Sequence, residues 1–240
     1  MRDYRSYSFW LEDAGEALTP RPALASSSDV DVAILGAGYS GLWTAYYLLL
    51  HEPALRVAVV EKEITGFGAS GRNGGWCSPN FSVTATGLEK RFGAEAARNL
   101  LLAMRASVDE VGRVCGEENI DARFHKGGAL TLARGQHQLP GIRSSYQAYE
   151  RLGLGDRYRL LNAEETAERI RVTGVHGALY TPDGASLHPA RLVRGLARAV
   201  ETRGEPRSER DGELERLPAV AQVGLALGRQ LPRVLKRADV

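Results

Sequence analysis

The 240-residue chain carries 31 basic and 29 acidic residues, for a net charge of +2, and 43% of its residues are apolar. That length can bury a sizeable core in one large domain or two small ones, while near-balanced, interspersed charge gives no reason to invoke nucleic acid. The longest apolar runs are strand length, so no membrane-spanning helix is expected, and two cysteines, Cys77 and Cys115, are too few for a disulfide framework. Neither cysteine has C-x-x-C spacing, and both read as buried free thiols. Residues 1 to 10 lack an apolar h-region, which predicts a cytoplasmic protein without a signal peptide.

In chain order, residues 1–28 form an N-terminal arm that Trp10 and Leu11 pin to the first domain. Pro20, Pro22 and Ser26 to Ser28 mark the loop that leaves it. Val30, Val32, Ile34 and Leu35 predict a buried strand, because parallel strands covered on both faces are almost continuously apolar. The chain then turns at Gly36-Ala37-Gly38 and enters a helix at Tyr39-Ser40-Gly41, with Leu42, Ala45, Tyr46 and Leu49 as its apolar stripe. In such a turn Gly36 permits the bend, Gly38 lets backbone approach a pyrophosphate and Gly41 allows close helix–strand packing. Amides at the helix start, reinforced by the helix dipole, attract phosphate. Val57 to Val60 predict the second strand. Glu61 closes it, followed by Lys62, where a carboxylate can accept both ribose hydroxyls of an adenosine and disfavours the 2′-phosphate of NADP. The motif by itself leaves NAD and FAD both open.

A glycine-rich loop follows from Gly66 to Cys77. Its position after the ribose acid makes Ser70, Gly71, Arg72, Asn73, Gly74 and Gly75 candidates for contact with the same cofactor, with hydroxyl and amides as donors and Arg72 as a charge. Helical periodicity runs from Gly93 to about Glu118, a strand is expected over 128–133, and a helix over 139–152 is weakened at its start by Pro140 and Gly141. Asn162 and Glu165 spell a capping box. A strand over 177–180 ends at Pro182-Asp183-Gly184, and Pro189 opens a helix that reaches about Arg203. His188 reads as a helix cap and His125 as a strand-edge residue. Neither has a second ligand spaced for metal, and no residue is assigned as a catalytic base.

Several segments together resemble the FAD-dependent amine and amino-acid oxidoreductases of the D-amino-acid oxidase superfamily, and within it the gamma-glutamylputrescine oxidase branch. They are Ser8 to Leu11, Thr19 to Pro22, Gly36 to Leu48, Ser70 to Gly75 and Ser186 to Leu192. The resemblance selects FAD over NAD. It implies an α/β architecture: an incomplete Rossmann-like FAD/NAD(P)-binding domain with the beginning of an inserted mixed-sheet substrate domain. The expected boundaries are 29–118 for the first part of the FAD domain, 119–185 for the partial substrate domain and 186–204 for a returning FAD-domain helix. Such relatives take a hydride from the carbon next to an amine nitrogen, form an imine that hydrolyses, and pass electrons to O₂ or a carrier, so a small amine or amino acid is the implied substrate. Two other readings stay open: an FAD or NAD oxidoreductase with a non-amine substrate, and a non-catalytic nucleotide-binding remnant.

After Gly204 the resemblance stops. Residues 205–213 contain no apolar strand where relatives place the one that completes the sheet, which predicts an exposed sheet edge. Leu214, Leu217, Val220, Val223 and Leu227 form at most a helical stripe that Pro218 and Pro232 interrupt. The composition shift over 205–240 reads as a shifted reading frame or a truncation, with a genuine divergent tail as the alternative.

Overall fold

A computed structural model describes residues 2–24, 29–204 and 220–222. The chain divides into two compact units, each assembled from separate stretches of sequence. The first comprises residues 1–74, 115–122 and 188–240, and the second comprises 75–114 and 123–187.

The first unit is built on a parallel sheet. Strands β1 (Val32–Leu35), β2 (Val57–Glu61) and β8 (Val220–Gln222) lie in the order β1-β2-β8, with Val32 opposite Val57 and Val59 opposite Val220. This is one half of a doubly wound sheet, with β8 in the third-strand position. The expectation of a sheet without that partner is therefore corrected. The strand comes from residues read as a broken helical stripe, because three residues suffice once β2 offers a ready ladder. The rest of that stripe lies outside the described residues. Helix α2 (Tyr39–His51) buries the expected Leu42, Ala45, Tyr46 and Leu49, and it packs against α7 (Pro189–Arg203). His188 caps α7 as expected, its Nδ1 accepting from the Arg191 amide at 3.2 Å.

The arm is fastened to this unit. Ser8 caps the short helix α1 (Phe9–Glu12), which fully buries Leu11 beside Tyr4, Ala14, Ile64 and Ala190. Trp10 lies edge-on to His188. Arg194, itself buried, pairs with Glu16, and Arg21 forms a two-pronged pair with Glu201 at 2.8 and 3.0 Å.

The second unit holds the antiparallel sheet β4 (Ala129–Ala133), β6 (Gly177–Thr181) and β5 (Arg159–Asn162), ordered β4-β6-β5. It also holds a ribbon of β3 (Trp76–Cys77) and β7 (Ala185–Ser186). Helix α3 (Ala85–Phe92), capped by Thr84, is absent from the sequence reading, since Ser82 to Gly87 looks like loop. Gly93, at φ +83°, separates it from α4 (Ala94–Glu117), whose residues to 114 count with this unit. Helix α5 (Leu139–Arg151) takes Pro140 in its first turn, where a missing N–H costs nothing. The capping box of α6 (Ala163–Arg169) closes with both bonds, 2.8 and 2.9 Å. Asp183, 1% exposed, is paired with Arg157 at 2.5 Å and Arg105 at 3.3 Å, so the buried carboxylate has the counter-charge that burial demands.

Two sequence expectations about burial change. Cys115 is buried but Cys77 is only half-buried, and partial burial pushes its thiol pKa up. Strand β2 is buried from Val57 to Val60, whereas β1 is half-buried and Leu35 is 88% exposed. Among the described residues β1 has a strand on one side only, so its apolar sequence is not matched by cover.

Candidate functional site: a dinucleotide turn at the strand ends

Strands β1 and β2 are parallel and in register, so their carboxyl ends, and the loops that leave them, come together. In open α/β sheets ligands bind at these ends. The turn after β1 begins at Gly36, whose φ of +99° lies where residues with a Cβ are strained. Its amide donates to the Val60 carbonyl at 2.7 Å, which continues the ladder one step past the strand. A Cβ on Gly41 would fall well inside contact distance of the Gly36 carbonyl oxygen and 3.1 Å from Ile34 Cγ2. Helix α2 therefore starts as close to β1 as backbone allows. A Cβ on Gly38 would lie 2.9 Å from Ser70 Oγ.

Glu61 closes the site from β2. One carboxylate oxygen accepts from the Ala37 amide at 2.9 Å, and the other accepts from the Lys62 and Glu63 amides at 2.9 and 3.0 Å. The acid read as a ribose ligand thus also clamps the glycine turn onto the end of β2. A carboxylate has about four lone-pair sites, so three bonds leave acceptor capacity for a ligand hydroxyl.

The glycine-rich loop folds back on the helix start. Ser70, within a single 3₁₀ turn (Ala69–Gly71), accepts from the Tyr39 amide at 2.9 Å. A hydroxyl that accepts still has its own proton to donate, so Ser70 extends the donor set of the helix terminus. Gly66 donates to the Ala37 carbonyl at 3.0 Å, and Gly71 is buried against the Gly66 carbonyl. Arg72 donates to the Gly68 carbonyl at 3.3 Å and lies 5.0 Å from the centre of the Phe67 ring. Asn73 donates to the Ala69 and Ser70 carbonyls, and Gly74 has open space around its Cα.

These residues surround a cavity of about 310 Å³ lined by Ala37, Gly38, Glu61, Lys62, Glu63, Gly66, Phe67 and Gly68. Of the residues singled out in the sequence, Gly38, Glu61 and Lys62 line it directly. Gly36, Tyr39, Gly41, Ser70 and Gly71 shape its turn and helix start. Ser40 is exposed and its carbonyl accepts from Thr44, and Gly75 belongs to the second unit, where its carbonyl accepts from the Leu187 amide at 2.9 Å. Glu63 was missed as a wall residue, its available signal being a second acid two positions after Glu61. Gly66, Phe67 and Gly68 lie in the glycine-rich loop expected beside the cofactor, though none was singled out.

A parallel sheet whose strand ends carry a three-glycine turn, a helix N-terminus and an acid defines a dinucleotide-binding protein. The sequence profile of the FAD dependent oxidoreductase family matches residues 31–205, and the chain belongs to that family. FAD is accordingly the cofactor of its class. The chain is 31% identical over 204 residues to gamma-glutamylputrescine oxidoreductase of Escherichia coli (strain K12), covering 85% of this chain and 45% of that protein. It is 28% identical over 184 residues to the beta subunit of sarcosine oxidase from Rhodobacter capsulatus, covering 72% of this chain and 40% of that one. In fold it is similar to glycine oxidase from Geobacillus kaustophilus, with a TM-score of 0.58 at 21% identity over 81% of this chain and 46% of the other. An L-amino acid deaminase from Proteus vulgaris, lacking its specific insertion sequence, gives a TM-score of 0.63 at 18% identity, covering 87% and 48% of the two chains. The chain spans less than half the length of the curated relatives it matches.

The donor set fits the nucleotide half of FAD. The turn has no side chain at Gly38 to obstruct a phosphate, the helix terminus and Ser70 offer donors, and Glu61 offers acceptors. The cavity lies at the lower end of the roughly 300–1,000 Å³ range of small-ligand sites.

Proposed function

We propose that the chain is the nucleotide-binding portion of an FAD-dependent oxidoreductase that oxidises the C–N bond of a small amine or amino acid. The observation that carries the reading is the Gly36–Gly41 turn clamped by Glu61 at the ends of two parallel strands. FAD, when bound, supplies the two-electron oxidation of the carbon next to nitrogen. The chain's own residues hold and orient it. Amides at the start of α2 and the Ser70 hydroxyl meet the diphosphate, Glu61 accepts from the ribose, and Arg72 with the loop over Asn73 to Gly75 follows the cofactor onward. The amine character of the substrate is supported by the likeness to proteins named for gamma-glutamylputrescine and sarcosine. In this reading the substrate domain expected over 119–185 corresponds to the 123–187 stretch of the second unit, which also takes in residues 75–114.

A second reading, a nucleotide-binding module without turnover, rests on the same turn and clamp, which would hold a dinucleotide whether or not a reaction follows. Mixing the FAD-loaded chain anaerobically with polyamines, amino acids and 2-hydroxy acids separates the two. Bleaching of the flavin by an amine or amino acid alone is the expected result. Bleaching only by hydroxy acids would reassign the substrate, and a bound flavin that nothing reduces would support the module.

A further inference from the structure

The cavity wall carries two carboxylates, Glu61 and Glu63, against one ammonium, Lys62, yet the ligand assigned to it carries a diphosphate. Glu61 is committed to three backbone amides. Glu63 is held by the N-terminal arm. Its two oxygens accept from Arg2 Nη1 at 2.7 Å and from the Tyr4 hydroxyl at 3.0 Å, and its side chain is 19% exposed. The same arm grips the other large wall residue. Tyr4 and Tyr7 meet the Phe67 ring edge-on, with centroids 5.7 and 5.2 Å away, and the Arg2 guanidinium lies 5.9 Å from its centre. Tyr4 is 7% exposed and belongs to the core cluster with Leu11 and Ile64, so these contacts come from an anchored segment.

We propose that the first turn of the arm backs the wall of the nucleotide site, where Arg2 cancels the charge of Glu63 and so permits an anionic dinucleotide to bind. Arg2 is a positioning residue here, acting through Glu63. The inference rests on the reading of the cavity as the FAD nucleotide site. An uncancelled carboxylate beside a diphosphate repels it, and such repulsion is screened by salt. The Tyr4 hydroxyl fixes the second oxygen of Glu63, so that the carboxylate faces Arg2.

The test is FAD affinity of the full 240-residue chain, read by quenching of flavin fluorescence, for wild type, Arg2→Ala, Glu63→Gln and the double variant. Both side chains are at the surface end of the arm contact, and thermal unfolding of each variant reports its fold. Arg2→Ala is expected to weaken FAD binding about three- to tenfold at low salt, and by less at high salt. Glu63→Gln in the Arg2→Ala background is expected to restore affinity, because the interaction is a coupling between the two residues. Arg2→Ala binding FAD as tightly as wild type overturns the proposal, and so does a double variant as weak as Arg2→Ala, which would mark a purely structural contact. If wild type itself binds no FAD, the cofactor reading fails and this inference falls with it.

Discussion

Strands β1 and β2 are written in nearly the same letters, Val-Ala-Ile-Leu and Val-Ala-Val-Val, yet β2 is buried and β1 only half-buried. Val59 is fully buried while Leu35 is 88% exposed. The difference lies in neighbours: β2 has β1 on one side and β8 on the other, whereas β1 is paired only with β2 among the described residues. Apolar composition states what a strand needs, and burial depends on what packs beside it. The two strands nonetheless end at the same site, and what joins them there is local: Gly36 on Val60, and Ala37 on Glu61.

The largest expected effect is at that junction. Gly41→Val forces a side chain into the Gly36 carbonyl and Ile34, and is expected to cost about 3 kcal/mol or more through overpacking. Urea denaturation and loss of FAD binding should both report it. A stable variant that binds FAD would show that helix α2 is less tightly set against β1 than described. Next, Val59→Ala in β2 is expected to destabilise by about 2–3 kcal/mol, against a change within about 0.5 kcal/mol for Leu35→Ala in β1. Equal losses in the two urea titrations would break the comparison, since they would mean Leu35 is covered in solution.

A smaller effect is expected from Glu61→Gln, which removes a charged acceptor from three amides and, in the proposed function, from the ribose. We expect about 1–2 kcal/mol of lost FAD affinity, measured by titration, from the weakened charge-assisted bonds. The smallest concerns the opposite ends of the same strands, where Asp31 before β1 is held by Arg56 before β2 at 2.8 Å. The Arg56 side chain and then its amide lower the Asp31 pKa from 3.8 to about 2. A folded-state value below the unfolded one gives stability that is present above the ordinary carboxylate range and is lost as pH falls toward about 2. Asp31→Asn should therefore narrow the loss of stability on acidification. A variant whose acid sensitivity matches wild type would show that the pair does not link the two strand starts.

Most of the nucleotide half was legible in the sequence because its signals are local. Gly36, Gly38 and Gly41 state a turn and a close approach within six residues, and Asn162 with Glu165 states a cap within four. His188 before Pro189 likewise announces the start of α7. What the sequence did not reveal is pairing at a distance. Strands β3 and β7 are two residues each and exist only because Trp76 meets Ser186. Strand β8 is defined by its register on β2, since Val220 to Gln222 alone carries no periodic signal. The same holds at the site: Glu61 was read from its spacing, but Glu63, also on the wall, is held by an arm residue, Arg2, that lies 61 positions earlier. Ser70 on the Tyr39 amide, 31 positions apart, was foreseen as a phosphate donor but not as a partner of the helix terminus.

The most direct test of the central claim is to titrate FAD into the purified 240-residue chain and follow visible absorption, with Gly38→Val as the control. Saturable binding with a perturbed flavin spectrum is expected in wild type and none in Gly38→Val, while both chains give the same circular dichroism. A folded wild-type chain that leaves the flavin spectrum unchanged, or a Gly38→Val chain that binds equally well, would contradict it.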